Sequence, residues 1–480
     1  MPEEGPIEEM VSVFDLTSPT DYRYEVKEWD KVNKHWIYPL RPFLSETAFI
    51  RYKSRVEAAL ATVLAKRGII SQQVAEEIHG ASEQVKALEV YEEEGRTGHD
   101  IIAQVNMIRK RLSGEAKTAV HKTATSFDIV ESANALRYTD AFNKVIIPDM
   151  VSLEKLWIEM ARNEKDTIQI GRTHLQHAEP TTFGAAMAWY VSRFGDRILH
   201  TKEAANSLEG KFSGAVGAYN ASSLFVDDPE NFEREVLAEL ELGPIEISTQ
   251  ITQPEPLTDL IHYVVSTFAV MDNWADDMRN LMRPEIGEVG QPRGKDVSTS
   301  STMPHKANPV GLENIQSLYK ATMPFIITMH LDQKSSHQRD LTNSASQRYV
   351  PDVLMRFDYA VRRATRVSTN LRTHPHNMAR NFAMSADKIV AEPLQLLLST
   401  YGYPDAHKYI GTLVDESVAT GKPLLDIVLN NPNLQPYLQR FTPRQMEIVQ
   451  NPSLYLGIAA QKAEGVANSW EKWLKMRELY

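Results

Sequence analysis

The residues most able to do chemistry lie in one short run, Ser298-Thr299-Ser300-Ser301-Thr302-Met303-Pro304-His305-Lys306-Ala307-Asn308-Pro309. Hydroxyls, open backbone N–H groups, a lysine and an asparagine share a dozen residues. That set suits the holding of a carboxylate whose neighbouring carbon is losing a proton, because donors placed in advance stabilise the dianion that forms.

A second segment, Gly171-Arg172-Thr173-His174-Leu175-Gln176-His177, precedes a long helical pattern. Two histidines three apart could share a helix face and bind a metal, but no further ligands stand at a convincing spacing, so no metal and no cofactor are expected. A turn-borne histidine that titrates near neutrality suits acid or base work instead. In Thr125-Ser126-Phe127-Asp128-Ile129-Val130-Glu131-Ser132, hydroxyls and acids at a helix start explain themselves as caps. The same open N–H groups could equally cradle an anion. Gln338-Arg339-Asp340-Leu341-Thr342-Asn343-Ser344-Ala345-Ser346-Gln347-Arg348 is a solvated helix face or a clamp for phosphate or carboxylate. Smaller pieces are Ser18-Pro19-Thr20-Asp21-Tyr22-Arg23-Tyr24, Thr97-Gly98-His99-Asp100 and Ser248-Thr249-Gln250. Ser213-Gly214-Ala215-Val216-Gly217 lacks the strand–loop–helix setting of a nucleotide turn and reads as close backbone packing; His374 and His376 read as structural.

Long helices must position these pieces. Phe49, Tyr52, Val56, Leu60 and Val63 recur every three or four residues and the pattern stops at Lys66-Arg67-Gly68. Met187, Tyr190, Phe194 and Ile198 repeat it. Leu257, Leu260, Ile261, Val264, Phe268, Met271, Met278 and Leu281 sustain it for roughly 25 residues, about 40 Å of helix, and helices of that length need long partners. No alternating run of any length argues for strands. The expected fold is all-α, with three helical domains: an N-terminal domain over 1–122, a central long-helix bundle with the hydroxyl-rich loop over 123–370, and a C-terminal domain over 371–480. Breaks at Ser113-Gly114, Pro284–Gly294 and Thr373-His374-Pro375-His376 mark the joints.

A formal charge of −11 on 480 residues argues against wrapping nucleic acid. There are no cysteines, which excludes disulfides and thiolate metal sites. No apolar run reaches the ~20 residues that span a bilayer, and the acidic start Met1-Pro2-Glu3-Glu4-Gly5 lacks the regions of a secretory signal. A cytoplasmic enzyme with no membrane partner is expected.

The hydroxyl-rich run resembles the mobile loop of the fumarase/aspartase superfamily, G-S-S-x-M-P-x-K-x-N-P, with Thr299 in place of the first glycine. Thr125-Ser126-x-Asp128 and Thr173-His174 are similar to two more of its motifs. Arg23-Tyr24, Thr97–Asp100, Gln338–Arg348 and Asn451-Pro452-Ser453-Leu454-Tyr455-Leu456-Gly457 look like the adenylosuccinate lyase branch, so the resemblance covers nearly the whole chain. It implies elimination of fumarate from a succinylated purine nucleotide in AMP and purine biosynthesis. Ser300 then matches the base and His174 the acid. Lys306 and Asn308 would stabilise the carboxylate. Arg23, Tyr24, Ser344 and Arg348 would hold the phosphate, and Thr125, Ser126, Gln250 and Arg339 the succinyl carboxylates. His99 and Asp100 would orient groups nearby. The family also implies a homotetramer whose active sites are shared between subunits. Four departures stand out: Thr299, Thr123 and Leu175 where glycine (or, at 175, serine) is commoner, and Gly98 where larger polar residues are usual. The alternative is a sister lyase or cycloisomerase, argininosuccinate-like or carboxymuconate-like, acting on another succinylated or carboxylated compound.

Overall fold

A computed structural model describes residues 27–31, 34–292, 302–303, 305–477 and 479. The chain is mostly helical, as its periodicity predicts, and its contacts gather it into two compact units. The first comprises Met1–Met150, Arg197–Ala269 and Ser317–Arg362; the second comprises Val151–Asp196, Val270–Gln316 and Arg363–Tyr480.

Helix α1, Glu46–Lys66, starts where the Ser45 side chain accepts from the Ala48 N–H at 3.1 Å. It stops before Gly68, whose φ of 71° turns the chain away. Tyr52, Val56, Leu60 and Val63 are buried along one stripe, in a core shared with the helices Gln72–Glu83 and Ala87–Thr97. Lys53 and Glu57 lie on the same stripe and are buried with it. Helix α2, Ser126–Ala141, adds Ile129, Ala133 and Leu136 to that core.

Helix α3, Ile147–Asn163, is followed by the one long hairpin among the described residues, β1 (Ile168–Thr173) and β2 (Gln176–Thr182). The period-two test misses it for a physical reason. The register shifts between Ile170 and Arg172, so burial along β1 does not alternate. Gly171 occupies the shift, where a Cβ would lie 2.6 Å from the Glu179 carbonyl oxygen.

Helices α4 (Phe183–Asn206), α5 (Glu255–Leu281) and α6 (Val350–Asn370) carry the rest of the expected pattern. Met187, Tyr190, Phe194 and Ile198 are buried, as are Leu260, Ile261, Val264, Phe268, Met271 and Met278. In the second unit Trp157 packs 5.1 Å from both Phe194 and Trp274, and its indole N–H donates to Ser368 Oγ at 2.9 Å. In the first, Phe268 meets Phe357 at 5.7 Å. Beyond α5 the short strands β3 (Val289–Gly290) and β4 (Arg372–Thr373) pair, and Pro375 opens helix α7 (Pro375–Ala383). Residues 390–449 then enclose an apolar core of their own, built on Leu394, Leu398, Ile410, Leu413 and Leu424.

Candidate active site

The capped start of α2 is as its sequence reads. The Thr125 N–H donates to Asp128 Oδ2 at 2.8 Å, closing the first turn. Asp128 is fully buried and ion-paired with Lys211, also fully buried, whose ammonium donates to the Gly214 carbonyl at 3.1 Å. Burial pushes the Asp128 carboxyl up and Lys211 opposes it. The Gly214 N–H donates back to Asp128 Oδ1 at 3.2 Å, so this pair ties the glycine-rich turn to the helix start. That turn packs closely as expected: at Gly217, φ 74°, a Cβ would sit 2.1 Å from the Ser248 carbonyl oxygen.

The segments expected to grip carboxylates converge here. The Arg339 guanidinium stacks on the Phe127 ring at 4.4 Å, one residue beyond Ser126. The Gln250 N–H donates to the Gln338 carbonyl at 3.3 Å. Glu131, one turn into α2, accepts from Thr252 Oγ1; burial raises its pKa, while Thr252 and then Arg339 hold it down. Burial lowers the pKa of Arg339, opposed by Glu131, Asp340 and Asp332, and its buried Nε finds no hydrogen-bond acceptor among the described residues. A half-desolvated guanidinium with an unused donor beside open helix N–H groups is a ready carboxylate clamp. Thr125, Ser126, Gln250 and Arg339 are thus neighbours within the first unit.

A second group lies in the same unit. His99 caps the helix Asp100–Arg109, its Nδ1 accepting from the Ile102 N–H at 3.4 Å, and Asp100 Oδ1 is 3.4 Å from that ring nitrogen. Gly98, φ 68°, ends the preceding helix, a conformation the larger residues usual there would resist. Asp100 pairs at 3.8 Å with Lys53, whose pKa burial pulls down. Arg348 and Ser344 are exposed, and the Arg348 charge reaches the Tyr91 phenol, which donates to Glu46 at 2.6 Å.

The candidate acid His174 belongs to the second unit, as do Lys306 and Asn308. His174 is exposed at the hairpin apex with φ 52°, followed by Leu175 at φ 62°. The hairpin overturns the shared-helix-face reading of the two histidines. His174 sits in the turn while His177 lies in β2 opposite Arg172, its Nδ1 2.7 Å from Ser385 Oγ. Burial and Arg172 lower the His177 pKa, against Glu288, as suits a structural neutral imidazole. Lys306 and Asn308 lie just before the helix Val310–Thr322, whose positive end favours an anion. Ser300, Arg23 and Tyr24 lie outside the described residues.

A lyase family model matches residues 20–322, and a model described as the adenylosuccinate lyase C-terminal region matches residues 335–444. An adenylosuccinate lyase of Pyrococcus abyssi is 34% identical over 95% of this chain and 98% of its own. The chain belongs to the adenylosuccinate lyase family. A second relative of that name, from Methanothermobacter thermautotrophicus, is 32% identical over 95% of this chain and 99% of its own. Among solved structures, a fumarate lyase from Mesorhizobium sp. BNC1 superposes with a TM-score of 0.78 at 25% identity, covering 89% of this chain and 97% of its own. A 3-carboxy-cis,cis-muconate lactonizing enzyme from Pseudomonas putida gives 0.79 at 23% identity over 90% and 97%, a likeness of fold.

Three groups around these sites escaped the sequence reading. Lys53 carried a usable signal, since it falls on the face of α1 that helical periodicity assigns to the interior, whereas Glu131 lies on the side of α2 away from its Ile129, Ala133 and Leu136 stripe. Lys211 carried none, because only the folded chain brings it to Asp128, 83 residues away.

Proposed function

We propose that this protein eliminates fumarate from adenylosuccinate, leaving AMP, and performs the parallel cleavage of the succinylated imidazole carboxamide ribotide of purine biosynthesis. The end-to-end likeness to an adenylosuccinate lyase at 34% identity carries the reading. The meeting of Thr125, Ser126, Gln250 and Arg339 in one unit supports it, because a succinyl group presents two carboxylates to be held.

In this reading Ser300, ionised beside Lys306, takes the proton from the succinyl carbon. The electron pair passes first into the adjacent carboxylate, which Lys306, Asn308 and loop amides stabilise, and then forms the carbon–carbon double bond of fumarate. The carbon–nitrogen bond breaks, and His174 delivers a proton to the departing purine nitrogen. Thr125, Ser126, Gln250 and Arg339 grip the carboxylates; Arg23, Tyr24, Ser344 and Arg348 hold the phosphate, with His99 and Asp100 orienting groups beside it. The working form is a cytoplasmic homotetramer with shared sites. Each chain is read as three domains, 1–122, 123–370 and 371–480.

An absorbance assay on purified protein, with adenylosuccinate and argininosuccinate side by side, tests the proposal. Turnover of the purine substrate with none of the other is expected. Cleavage of argininosuccinate alone would transfer the chain to a sister branch.

A further inference from the structure

Glu288 stands at the crossing of three segments and belongs to none of the motifs above. It is fully buried, and its carboxylate accepts four hydrogen bonds. Oε1 accepts from Arg172 Nη2 at 2.6 Å and Asn381 Nδ2 at 2.8 Å; Oε2 accepts from Gln169 Nε2 at 2.7 Å and Arg172 Nη1 at 3.1 Å. Gln169 and Arg172 lie on β1, the strand that leads into His174. Asn381 lies on α7 and also donates to the Ile286 carbonyl at 2.9 Å. The Glu288 backbone is fixed as well: its N–H donates to the Leu281 carbonyl at 2.9 Å and its carbonyl accepts from the His374 N–H at 2.9 Å. The next residue opens β3, from which the chain runs on to Lys306 and Asn308.

Desolvation offsets most of what such a buried ion pair adds to stability, whereas the geometry it imposes remains. A bidentate guanidinium fixes the plane and roll of β1 as well as its distance. Arg172 stands two residues before His174, and β1 ends between them at Thr173. The hairpin apex is exposed, so its aim is set by the strand that leads into it.

We infer that Glu288 is a positioning residue for the elimination: by locking Gln169 and Arg172 of the hairpin to α7 and to the stem of β3, it holds the His174 imidazole where the leaving nitrogen must be protonated. This rests on the reading of His174 as the acid.

The closing experiment is a double-mutant cycle on the full-length protein, with adenylosuccinate as substrate. Glu288→Gln keeps the volume but turns an amide NH2 toward two donors, whichever way it faces. Alone it should lower kcat about a hundredfold, the scale of a 1 Å misplacement, with KM near wild type and the same assembly state. Glu288→Asp, which keeps the charge, should recover most of that loss. In a His174→Ala background Glu288→Gln should cost no more than about threefold, because the group it aims is already gone. Equal losses in both backgrounds, a rise in KM with unchanged kcat, or wild-type activity in Glu288→Gln would each overturn the inference. Should Glu288→Gln fail to fold, Arg172→Lys enters the same cycle with the same two criteria. Full activity of His174→Ala would instead sink the acid assignment on which the inference rests, and an inactive wild type would sink the substrate reading; both outcomes differ from additivity in the cycle.

Discussion

Three departures from the family pattern coincide with left-handed backbone. Thr123 (φ 73°) and Leu175 (φ 62°) adopt it where glycine is common in relatives, while Gly98 (φ 68°) adopts it where other residues are usual. For a β-branched residue such as Thr123, this conformation costs about 1–3 kcal/mol. Thr123→Gly should therefore raise stability by about 0.5–1 kcal/mol, part of the released strain being lost to the greater freedom of the unfolded chain. A urea midpoint unchanged or lowered at fixed protein concentration would contradict this. Two residues earlier, His121 Nδ1 lies 2.6 Å from Glu57 Oε1 on α1. Burial pulls the imidazole down, but Glu57 and, more weakly, Asp128 outweigh it against Arg109, so the folded pKa stands above its ordinary value. A raised imidazole pKa stabilises the fold fully below about pH 6.5 and loses that contribution as pH rises through the folded value. His121→Gln should accordingly cost more stability at pH 6 than at pH 9, and a cost that grows with pH would refute the pairing. The spacing of residues offered Thr125, Ser126 and Arg339 as candidate anion holders. It could not show that Arg339 would stack on Phe127, since that needs a contact across more than two hundred residues.

At the scale of elements, helices were legible because their buried stripes repeat faithfully: α1 ends at Lys66 and α5 runs from Glu255 to Leu281, close to where the apolar pattern places them. The hairpin was not, because Gly171 shifts the register and breaks the alternation on which a strand reading depends. The start of α2 depends on an interaction equally invisible in the sequence. Asp128 caps the first turn yet is fully buried, and among the described residues only Lys211 supplies it with an opposite charge at contact. Removing one partner of such a pair strands the other, a loss of about 3–5 kcal/mol. Lys211→Met should be destabilising by that order and should loosen the helix start beside Arg339, weakening affinity for the substrate carboxylates. Adding Asp128→Asn should return part of the stability, since no charge is then left buried. A double variant worse than the sum of the singles would mean that the pair acts through something other than charge compensation.

For the molecule as a whole, the distribution of the candidate residues over the two units frames the question of assembly. Thr125, Ser126, Gln250 and Arg339, with His99, Asp100, Ser344 and Arg348, belong to the first unit; His174, Lys306 and Asn308 belong to the second. Composition and periodicity yield a charge and a helical body, but the joining of copies is a property of surfaces, which a sequence does not display. If each active site takes its acid and its base from different subunits, two inactive variants can repair each other. His174→Ala chains keep the base and Ser300→Ala chains keep the acid. A tetramer mixed at random from equal amounts would then hold both intact groups in about one quarter of its sites. Each variant alone should be inactive, and activity near that fraction should appear after dissociation and reassembly of the mixture. The recovered activity should have the wild-type KM, because a repaired site is a complete one. Absence of recovery, with subunit exchange demonstrated by differently tagged chains, would place the acid and the base on the same subunit.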